Sequence, residues 1–166
     1  TDRAHPKIVN AVDRPKADIC WVAIRSGQLA MSDCYGRNAH FYDLASPTQP
    51  VYVGATAFYT SWTAFPTGIY YHGDLLIAGG YYFGVNLLDV TDPAAAKVVG
   101  TYGNYGYFES MDFDERYAYV CGQRGGFEVV DLADPTRPVN ISSGVGVACN
   151  KARINGTVAY TFWSSN

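Results

Sequence analysis

The stretch "DLADPTRPV" at residues 131–139 decides the fold, because the chain repeats it. "DLASPTQPV" begins at Asp43 and "DVTDPAAAKVV" begins at Asp89, so the three aspartates are 46 and 42 residues apart. In each copy a predicted strand leads into a turn with Asp or Ser before a proline, and a second strand follows. The first strands read "NAHFYD", "GVNLLD" and "GFEVVD". A repeat of about 40 to 50 residues predicts stacked units that bury their apolar faces only against each other.

A second hairpin precedes each repeated aspartate, as "AIRSGQLAMS", "IYYHGDLLIA" and "MDFDERYAYV", and a fourth copy reads "ARINGTVAYT". The predicted turn pairs are Ser26-Gly27, His72-Gly73, Asn155-Gly156 and Asp114-Glu115. Each unit therefore has four short antiparallel strands, A to D, and nothing in the chain has helical periodicity. The sequence predicts an all-β fold, a β-propeller of four-stranded antiparallel blades with an incomplete terminal blade.

The predicted domain is a single propeller or a portion of a larger one. We place a D-type strand at 6–10, blades at 20–54, 68–100 and 109–142, and a partial blade at 150–162. A blade built from the two ends of the chain would lack its C strand, and each buried unpaired backbone group costs roughly 1–3 kcal/mol. We expect either that the native chain continues past Asn166 or that another chain donates a strand, which is a route to self-assembly.

The repeats resemble those of the LVIVD family. Residues 116–139, "RYAYVCGQRGGFEVVDLADPTRPV", resemble its apolar strand, glycine-led strand and "VVDVSDP" segment nearly position by position. "DLLIAGGYYFGVNLLDVTDPAAAKVV" is close, and "QLAMSDCYGRNAHFYDLASPTQPV" is looser. The resemblance implies a propeller of secreted or surface-attached proteins and no single chemistry.

The amino-acid composition limits the classes of partner that the chain is expected to bind. The net charge of −3, the pI near 5.5 and the scattered 12 Lys and Arg exclude a nucleic-acid surface. The sequence contains no run of about 18 apolar residues, so it predicts no membrane-spanning helix. Sparse lysine, 14 tyrosines and two glycosylation sequons, at Asn140 and Asn155, favour an extracellular or cell-surface protein. The expected partner is a protein or a further copy of the chain, with a glycan as another possibility.

The four cysteines, Cys20, Cys34, Cys121 and Cys149, form no CxxC pair and have no histidine at ligand spacing. This pattern predicts no zinc site. Small buried thiols are the favoured interpretation, and disulfide pairing stays open.

The recurring aspartates also suggest calcium, because Asp92 and Asp134 follow Asp89 and Asp131 closely. Their place in the C-to-D turns favours a turn-capping role instead. We therefore predict neither a metal site nor a cofactor.

Long aromatic loops, the D-to-A and B-to-C connections, meet on one face of the predicted propeller. Tyrosine, tryptophan and arginine dominate binding hot spots. The candidate binding residues are Tyr35, Arg37, Tyr59, Trp62, Tyr81, Tyr82, Tyr102, Tyr105, Arg124 and Trp163. We expect about half of them to pack between blades, and Trp62, Tyr81 and Tyr82 to be exposed.

Catalytic patterns are weak. His5, His40 and His72 fall on different parts of the predicted blades, and there is no nucleophile elbow. The candidate carboxylates are Asp33, Glu109 and Asp112, a pair of which could serve glycoside hydrolysis. We predict a non-enzymatic interaction or assembly module, and the alternative is a carbohydrate-binding or glycan-cleaving propeller that uses the same face.

Overall fold

The structure is a computed structural model. It describes residues 4–5, 7–8, 10–12, 18–35, 37–59, 65–82, 84–103, 108–122, 126–142, 146 and 149–163. Within these ranges the chain forms fourteen β-strands and one short 3-10 turn at Pro93–Ala95. None of these residues belongs to a helix long and apolar enough to cross a bilayer.

The strands form three four-stranded antiparallel sheets and a hairpin, each in chain order. Blade 1 contains β1 (Ile19–Arg25), β2 (Gln28–Asp33), β3 (Asn38–Asp43) and β4 (Val51–Ala57). Blade 2 contains β5 (Pro66–His72), β6 (Leu75–Gly80), β7 (Gly84–Asp89) and β8 (Lys97–Tyr102). Blade 3 contains β9 (Phe108–Phe113), β10 (Tyr117–Gly122), β11 (Gly126–Asp131) and β12 (Val139–Asn140). The hairpin contains β13 (Lys151–Asn155) and β14 (Val158–Phe162).

The blades pack side by side through their first strands, because β1 contacts β5, β5 contacts β9 and β9 contacts β13. A separate apolar cluster fills each junction. Phe41 of blade 1 meets Leu76 and Leu88 of blade 2, and Leu87 of blade 2 lies in the next cluster with Met111 of blade 3. This arrangement is the predicted propeller architecture of four-stranded antiparallel blades.

Among the described residues, no strand pairs with the inner edge of a first strand, and in β5 and β13 a side chain of the preceding blade bonds the backbone. Trp21 Nε1 of β1 donates to Pro66 O of β5 at 3.0 Å. Asp112 of β9 accepts the Ile154 N–H of β13 at 2.7 Å. Side chains of one blade therefore position the backbone of the next.

Arg25 makes several polar contacts between blades 1 and 2. Its guanidinium donates to Gly73 O at 2.5 Å and to Val90 O at 2.8 Å, and it lies 4.9 Å from the centre of the Tyr71 ring. Charged donors make hydrogen bonds about twice as strong as neutral ones. Arg25 thus joins the turn edge of blade 1 to two separate segments of blade 2.

The repeated aspartates cap turns, as predicted. Each carboxylate accepts the N–H of the residue two positions later: Asp43 from Ala45 at 2.7 Å, Asp89 from Thr91 at 3.0 Å and Asp131 from Ala133 at 2.9 Å. Asp92 and Asp134 repeat this bond with Ala94 and Thr136, each at 3.0 Å. No group of three or more His, Cys, Asp or Glu side chains in the described ranges is placed to hold a metal ion.

Two details differ from the expected strands and turns. In three of the four described A-to-B hairpins the turn pair begins one residue later than predicted, at Gly73, Glu115 and Gly156. Gly73 and Gly156 take the first turn position with φ of 54° and 59°, where glycine avoids a steric penalty.

The second difference concerns the D-type strand predicted at 6–10. Lys7, Ile8 and Asn10 lie outside strands, while Pro6 and Val9 lie outside the described residues. A strand needs a neighbouring backbone, whereas Asn10 contacts the rest of the chain through its side chain, which donates to Thr48 O at 2.6 Å.

All four cysteines form disulfides, which corrects the favoured interpretation of buried free thiols. Cys20 pairs with Cys34 within blade 1, and Cys121 of β10 pairs with Cys149 just before β13. The register of β1 on β2 brings the first pair together, since Ile19 lies opposite Asp33. The second pair joins blade 3 to the hairpin, a contact between distant segments that cysteine spacing alone does not reveal.

Gly54 and Gly100 occupy equivalent positions in β4 and β8, and substitution by alanine should affect the stability of the protein to different extents. A Cβ on Gly100 of β8 would lie 1.9 Å from Pro135 O in blade 3, whereas a Cβ on Gly54 of β4 would meet Ala94 Cα at 3.9 Å. We expect Gly100→Ala to lower the free energy of unfolding by about 1–3 kcal/mol. Gly54→Ala should change it by less than about 1 kcal/mol. Denaturant unfolding measures both, and equal losses would contradict the close approach of the blades.

Removing the second disulfide should loosen the hairpin first. Its loop of 28 residues predicts a loss of about 3.5 kcal/mol for Cys121→Ser/Cys149→Ser. Hydrogen exchange should accelerate most in β13 and β14, because the bond attaches them to blade 3. Cys20→Ser/Cys34→Ser is the matched control and should leave the exchange of the hairpin unchanged. Uniform acceleration over all blades in the first variant would refute this local role.

Candidate binding face

Loops at one end of the blades form an aromatic surface. Two backbone bonds organise it: Cys34 N donates to Asp18 O at 2.7 Å, and Tyr81 N donates to Phe65 O at 3.0 Å. Each bond ties the loop after a second strand to the segment that enters a first strand. The surface, called the loop face here, consists of Tyr35, Arg37, Phe65, Tyr81 and Tyr82.

Aromatic rings of the loop face bridge blades 1 and 2. The rings of Tyr35 and Phe65 pack edge to face with centroids 5.6 Å apart. Tyr35 is 67% exposed and Tyr82 is 56% exposed, and Phe65 also presents part of its ring to solvent. Phe65 is not among the predicted residues. Its position in a D-to-A loop, directly before the strand-initiating Pro66, is the signal that could have identified it.

The backbone of the loop face is conformationally costly. Arg37 and Tyr82 have φ of 65° and 68°, and they are the non-glycine residues with positive φ in the described ranges. A bulky residue in this conformation costs roughly 1–2 kcal/mol. Such outliers cluster at sites of function, where the surrounding structure maintains them. The loop face thus holds its side chains in directions that relaxed loops would not favour.

Two predicted binding residues pack instead. Tyr59 is 7% exposed and its ring lies 4.6 Å from that of Phe58 in the core between blades 1 and 2. Burial raises the pKa of Tyr59 to about 12. Tyr102 is half-buried and its hydroxyl donates to Glu128 at 2.6 Å, and burial raises its pKa. The sequence predicts that about half of the candidates pack between blades without identifying them, and Tyr59 and Tyr102 are two that pack.

The remaining predicted residues divide into two groups. Tyr81 is half-buried, and Trp163 is exposed directly after β14. Trp62, Tyr105 and Arg124 lie outside the described residues.

The candidate carboxylates have structural contacts. Asp33 is buried and bonds His40 Nε2 at 2.8 Å and Asn38 Nδ2 at 3.2 Å. Asp112 bonds the Ile154 backbone, as described above. Glu109 is half-buried on β9. The contacts of Asp33 and Asp112 explain their positions without a catalytic role.

Both sequon asparagines lie at the surface. Asn155 is exposed at the end of β13, beside the hairpin turn. Asn140 is exposed on β12, and its Oδ1 accepts hydrogen bonds from Ser142 N at 2.8 Å and Ser142 Oγ at 2.7 Å. Their glycosylation stays a prediction.

An open strand edge lies at one end of the array of blades. Among the described residues, no strand pairs with the outer edge of β14. Val158, Tyr160 and Phe162 of this strand are exposed along one face. In each complete blade the equivalent second strand pairs with a third, so β14 has the geometry to accept an added strand.

Solved structures with the same architecture support a propeller fold. No family model and no curated protein matches the chain. The computationally designed Ika4 protein matches 95% of this chain over 92% of its own length, with a TM-score of 0.72 and 9% identity. The propeller domain of Cps50 (Swd1) from Myceliophteria thermophila matches 82% of this chain with a TM-score of 0.55 and 15% identity. KlAtg21, solved with the coiled coil of AgAtg16, matches 77% with a TM-score of 0.61 and 11% identity.

These likenesses concern the fold. The chain spans 45% of the Cps50 chain and 42% of the KlAtg21 chain, so it corresponds to less than half of each.

The unfolding free energies of substitution variants should distinguish aromatic residues that pack in a junction core from those of the loop face. We expect Tyr59→Ala to lower the free energy of unfolding by about 3–5 kcal/mol, because it empties a junction core. Tyr35→Ala should cost less than about 1.5 kcal/mol, the value of one aromatic pair. Tyr82→Asn should cost less still, since asparagine tolerates positive φ. Denaturant unfolding is the measurement, and a loss for Tyr35→Ala as large as for Tyr59→Ala would assign Tyr35 to the core.

Proposed function

We propose that this chain is a non-enzymatic interaction module of an extracellular or cell-surface protein. It binds a protein partner through the loop face and through the open edge of β14. The observation that carries the proposal is the exposure of Tyr82 on a backbone with positive φ, next to the exposed Tyr35 and Phe65 pair.

The composition of the loop face supports protein recognition. Tyrosine offers a large contact area with little loss of side-chain entropy, and arginine adds directed donors. The short tying bonds of Cys34 and Tyr81 keep the loops preorganised, which reduces the entropic cost of binding. KlAtg21, a structure with the same architecture, was solved with a coiled-coil partner.

The proposed location rests on separate features. Two disulfides support an oxidising compartment, where such bonds persist. The exposed sequon residues Asn140 and Asn155 are accessible for modification. The resemblance of residues 116–139 to LVIVD repeats, a family of secreted and surface-attached proteins, agrees with the same location.

Carbohydrate binding uses the same chemistry, because tyrosine rings stack on sugar rings. A glycan-cleaving activity has less support, since Asp33 and Asp112 are engaged in structural hydrogen bonds. A glycan is therefore the competing ligand in the experiment below, and its binding would replace the proposed protein partner.

The test uses a displayed random-peptide library selected on the full chain, together with a glycan array. We expect enriched peptides whose affinity falls at least tenfold for Tyr35→Ala/Tyr82→Asn. Tyr52→Ala is the matched control, because Tyr52 is an exposed aromatic residue on β4 outside the loop face. Its affinity should equal that of the unaltered chain.

Three outcomes would overturn the proposal in part or in full. Peptides that bind the double variant as well as the unaltered chain would remove the loop face as the binding surface. An array signal that the double variant abolishes, without enriched peptides, would assign the face to glycans. Hydrolysis of an array glycan would contradict the non-enzymatic assignment.

A further inference from the structure

We infer that the junction between blades 2 and 3, called the second junction here, is a pH-sensitive switch that weakens when His72 takes up a proton. The first junction, between blades 1 and 2, is held instead by the permanent charge of Arg25. The inference goes beyond the proposed function, because it concerns a response of the scaffold and not the binding of a partner. It rests on two side chains that occupy the same position of the repeat and differ in whether they titrate.

Arg25 and His72 occupy one position of the repeat, at the end of a first strand. Arg25 is the last residue of β1 and pairs with Gln28, and His72 is the last residue of β5 and pairs with Leu75. A two-residue turn separates the paired residues in both hairpins. Both side chains therefore start from the same point at the turn edge of consecutive blades.

Both side chains contact an aromatic ring of the following blade. The Arg25 guanidinium lies 4.9 Å from the centre of the Tyr71 ring in blade 2. The His72 ring stacks on Phe113 of blade 3, with the two centroids 5.2 Å apart. Tyr71 and Phe113 are themselves equivalent, because each pairs with the second residue of the next strand. The two contacts thus have the same place in successive junctions.

Both side chains also bond the turn of the following blade. Arg25 donates to the carbonyl oxygen of Gly73, and His72 forms a hydrogen bond with the backbone of Glu115. Gly73 and Glu115 are the first residues of their turns. A guanidinium keeps its charge at any physiological pH, whereas an imidazole changes charge between about pH 5 and 8. The two junctions therefore share one geometry and differ in chemistry.

Burial controls the charge of His72. It lowers the pKa of the ring from the ordinary value of 6.5, and this effect exceeds those of the Asp114 carboxylate and the Glu115 backbone, which both raise the pKa. The side chain of Glu115 is exposed. The strand registers also place Asp89 of β7 and Lys97 of β8 in line with His72, and these two opposite charges lie side by side. The folded junction therefore favours the neutral ring.

Two further charged side chains at this turn edge have partners of their own. Asp74, in the turn after His72, pairs with Arg25 at 3.2 Å. Arg116, at the equivalent turn position of blade 3, donates from its Nε to Asp131 at 3.0 Å. A protonated His72 would thus meet an arginine at the position where Arg25 meets an aspartate.

The direction of the response follows from the pKa of His72. Because folding lowers this pKa, the contribution of the ring to stability is complete above about pH 6.5 and is lost as the pH falls through the folded-state value. Burial raises the pKa of Asp114, but hydrogen bonds from Tyr119 and two backbone N–H groups outweigh burial, so this carboxylate stays charged above about pH 4. Tyr70, which packs on Phe113, loses its proton only above pH 10, because burial raises its pKa. Between about pH 7.5 and 5 the second junction therefore responds through His72.

Hydrogen exchange on the full chain at pH 7.5 and pH 5.0 measures the switch, once the rates are corrected for the intrinsic pH dependence of exchange. We expect the protection of β9 to fall at least threefold at the lower pH, because protonation removes the advantage of the neutral ring. His72→Gln should remove this response, since glutamine keeps a donor and does not titrate. His72→Phe is the second variant, because phenylalanine retains a ring that stacks on Phe113 and also does not titrate.

His5→Gln is the matched control, since His5 is an exposed histidine outside the described strands. This variant should retain the full response of β9. His40 lies on β3 of blade 1, so the protection of β3 reports on this histidine separately. An NMR titration of the ring protons should give His72 a midpoint below pH 6.5. Circular dichroism at pH 7.5 checks that each variant keeps the β-sheet spectrum.

Several results would overturn the inference. Equal protection of β9 at the two pH values would exclude the switch. A response that persists in both His72 variants would assign it to another group. A midpoint for His72 at or above pH 6.5 would reverse the expected direction. Equal losses of protection in β3 and β9 would indicate unfolding of the whole chain and not the weakening of one junction.

Discussion

Packing between neighbouring blades is the constraint on which the rest of the structure depends. A four-stranded sheet has two faces, and neither can be buried within its own blade. Phe41, Leu87 and Met111 are buried only because an adjacent blade covers them. The polar contacts follow the same rule, since Arg25 and Asp112 each satisfy backbone groups of the next blade. Stability in this fold accumulates at junctions, and Val22 and Ile24 of β1, against which no described blade packs, are exposed.

The same constraint explains how the loop face is formed. Its residues come from loops of two blades, and the Tyr35 and Phe65 rings meet because the core beneath them brings those loops together. Backbone bonds tie these loops to the segments that enter the first strands, so the positions of the loops follow those of the sheets. The backbone bond of Tyr81 to Phe65 helps to maintain the positive φ of Tyr82, which an isolated loop would relax. The packing of blades 1 and 2 therefore determines how the side chains of the loop face are arranged.

Much of the architecture was predictable because it is local. A repeated Asp before a turn, a glycine at a hairpin and an alternating strand each have a physical cause within a few residues, and the observed Asp43, Asp89 and Asp131 bonds are of this kind. Turn positions shifted by one residue at Gly73 and Gly156 because the pairing of the flanking strands sets the register. The site was less predictable. Tyr59 and Tyr35 both lie beside strand ends in aromatic loops, and only the packing of blade 2 against blade 1 buries the first and exposes the second.

By itself, the sequence determined the four-stranded repeat, the turn-capping aspartates and the end of the blades at which the aromatic loops gather, because spacing and turn chemistry act over short distances. Only the tertiary structure decided which cysteines pair, which carboxylates have structural bonds and which apolar side chains remain uncovered. Cys121 reaches Cys149, and Asp112 reaches Ile154, across a junction between blades. Val22 and Ile69 occupy the same repeat position, yet one is exposed and the other is buried. Contacts between distant segments distinguish them, because burial depends on the neighbouring blade and not on the residue type.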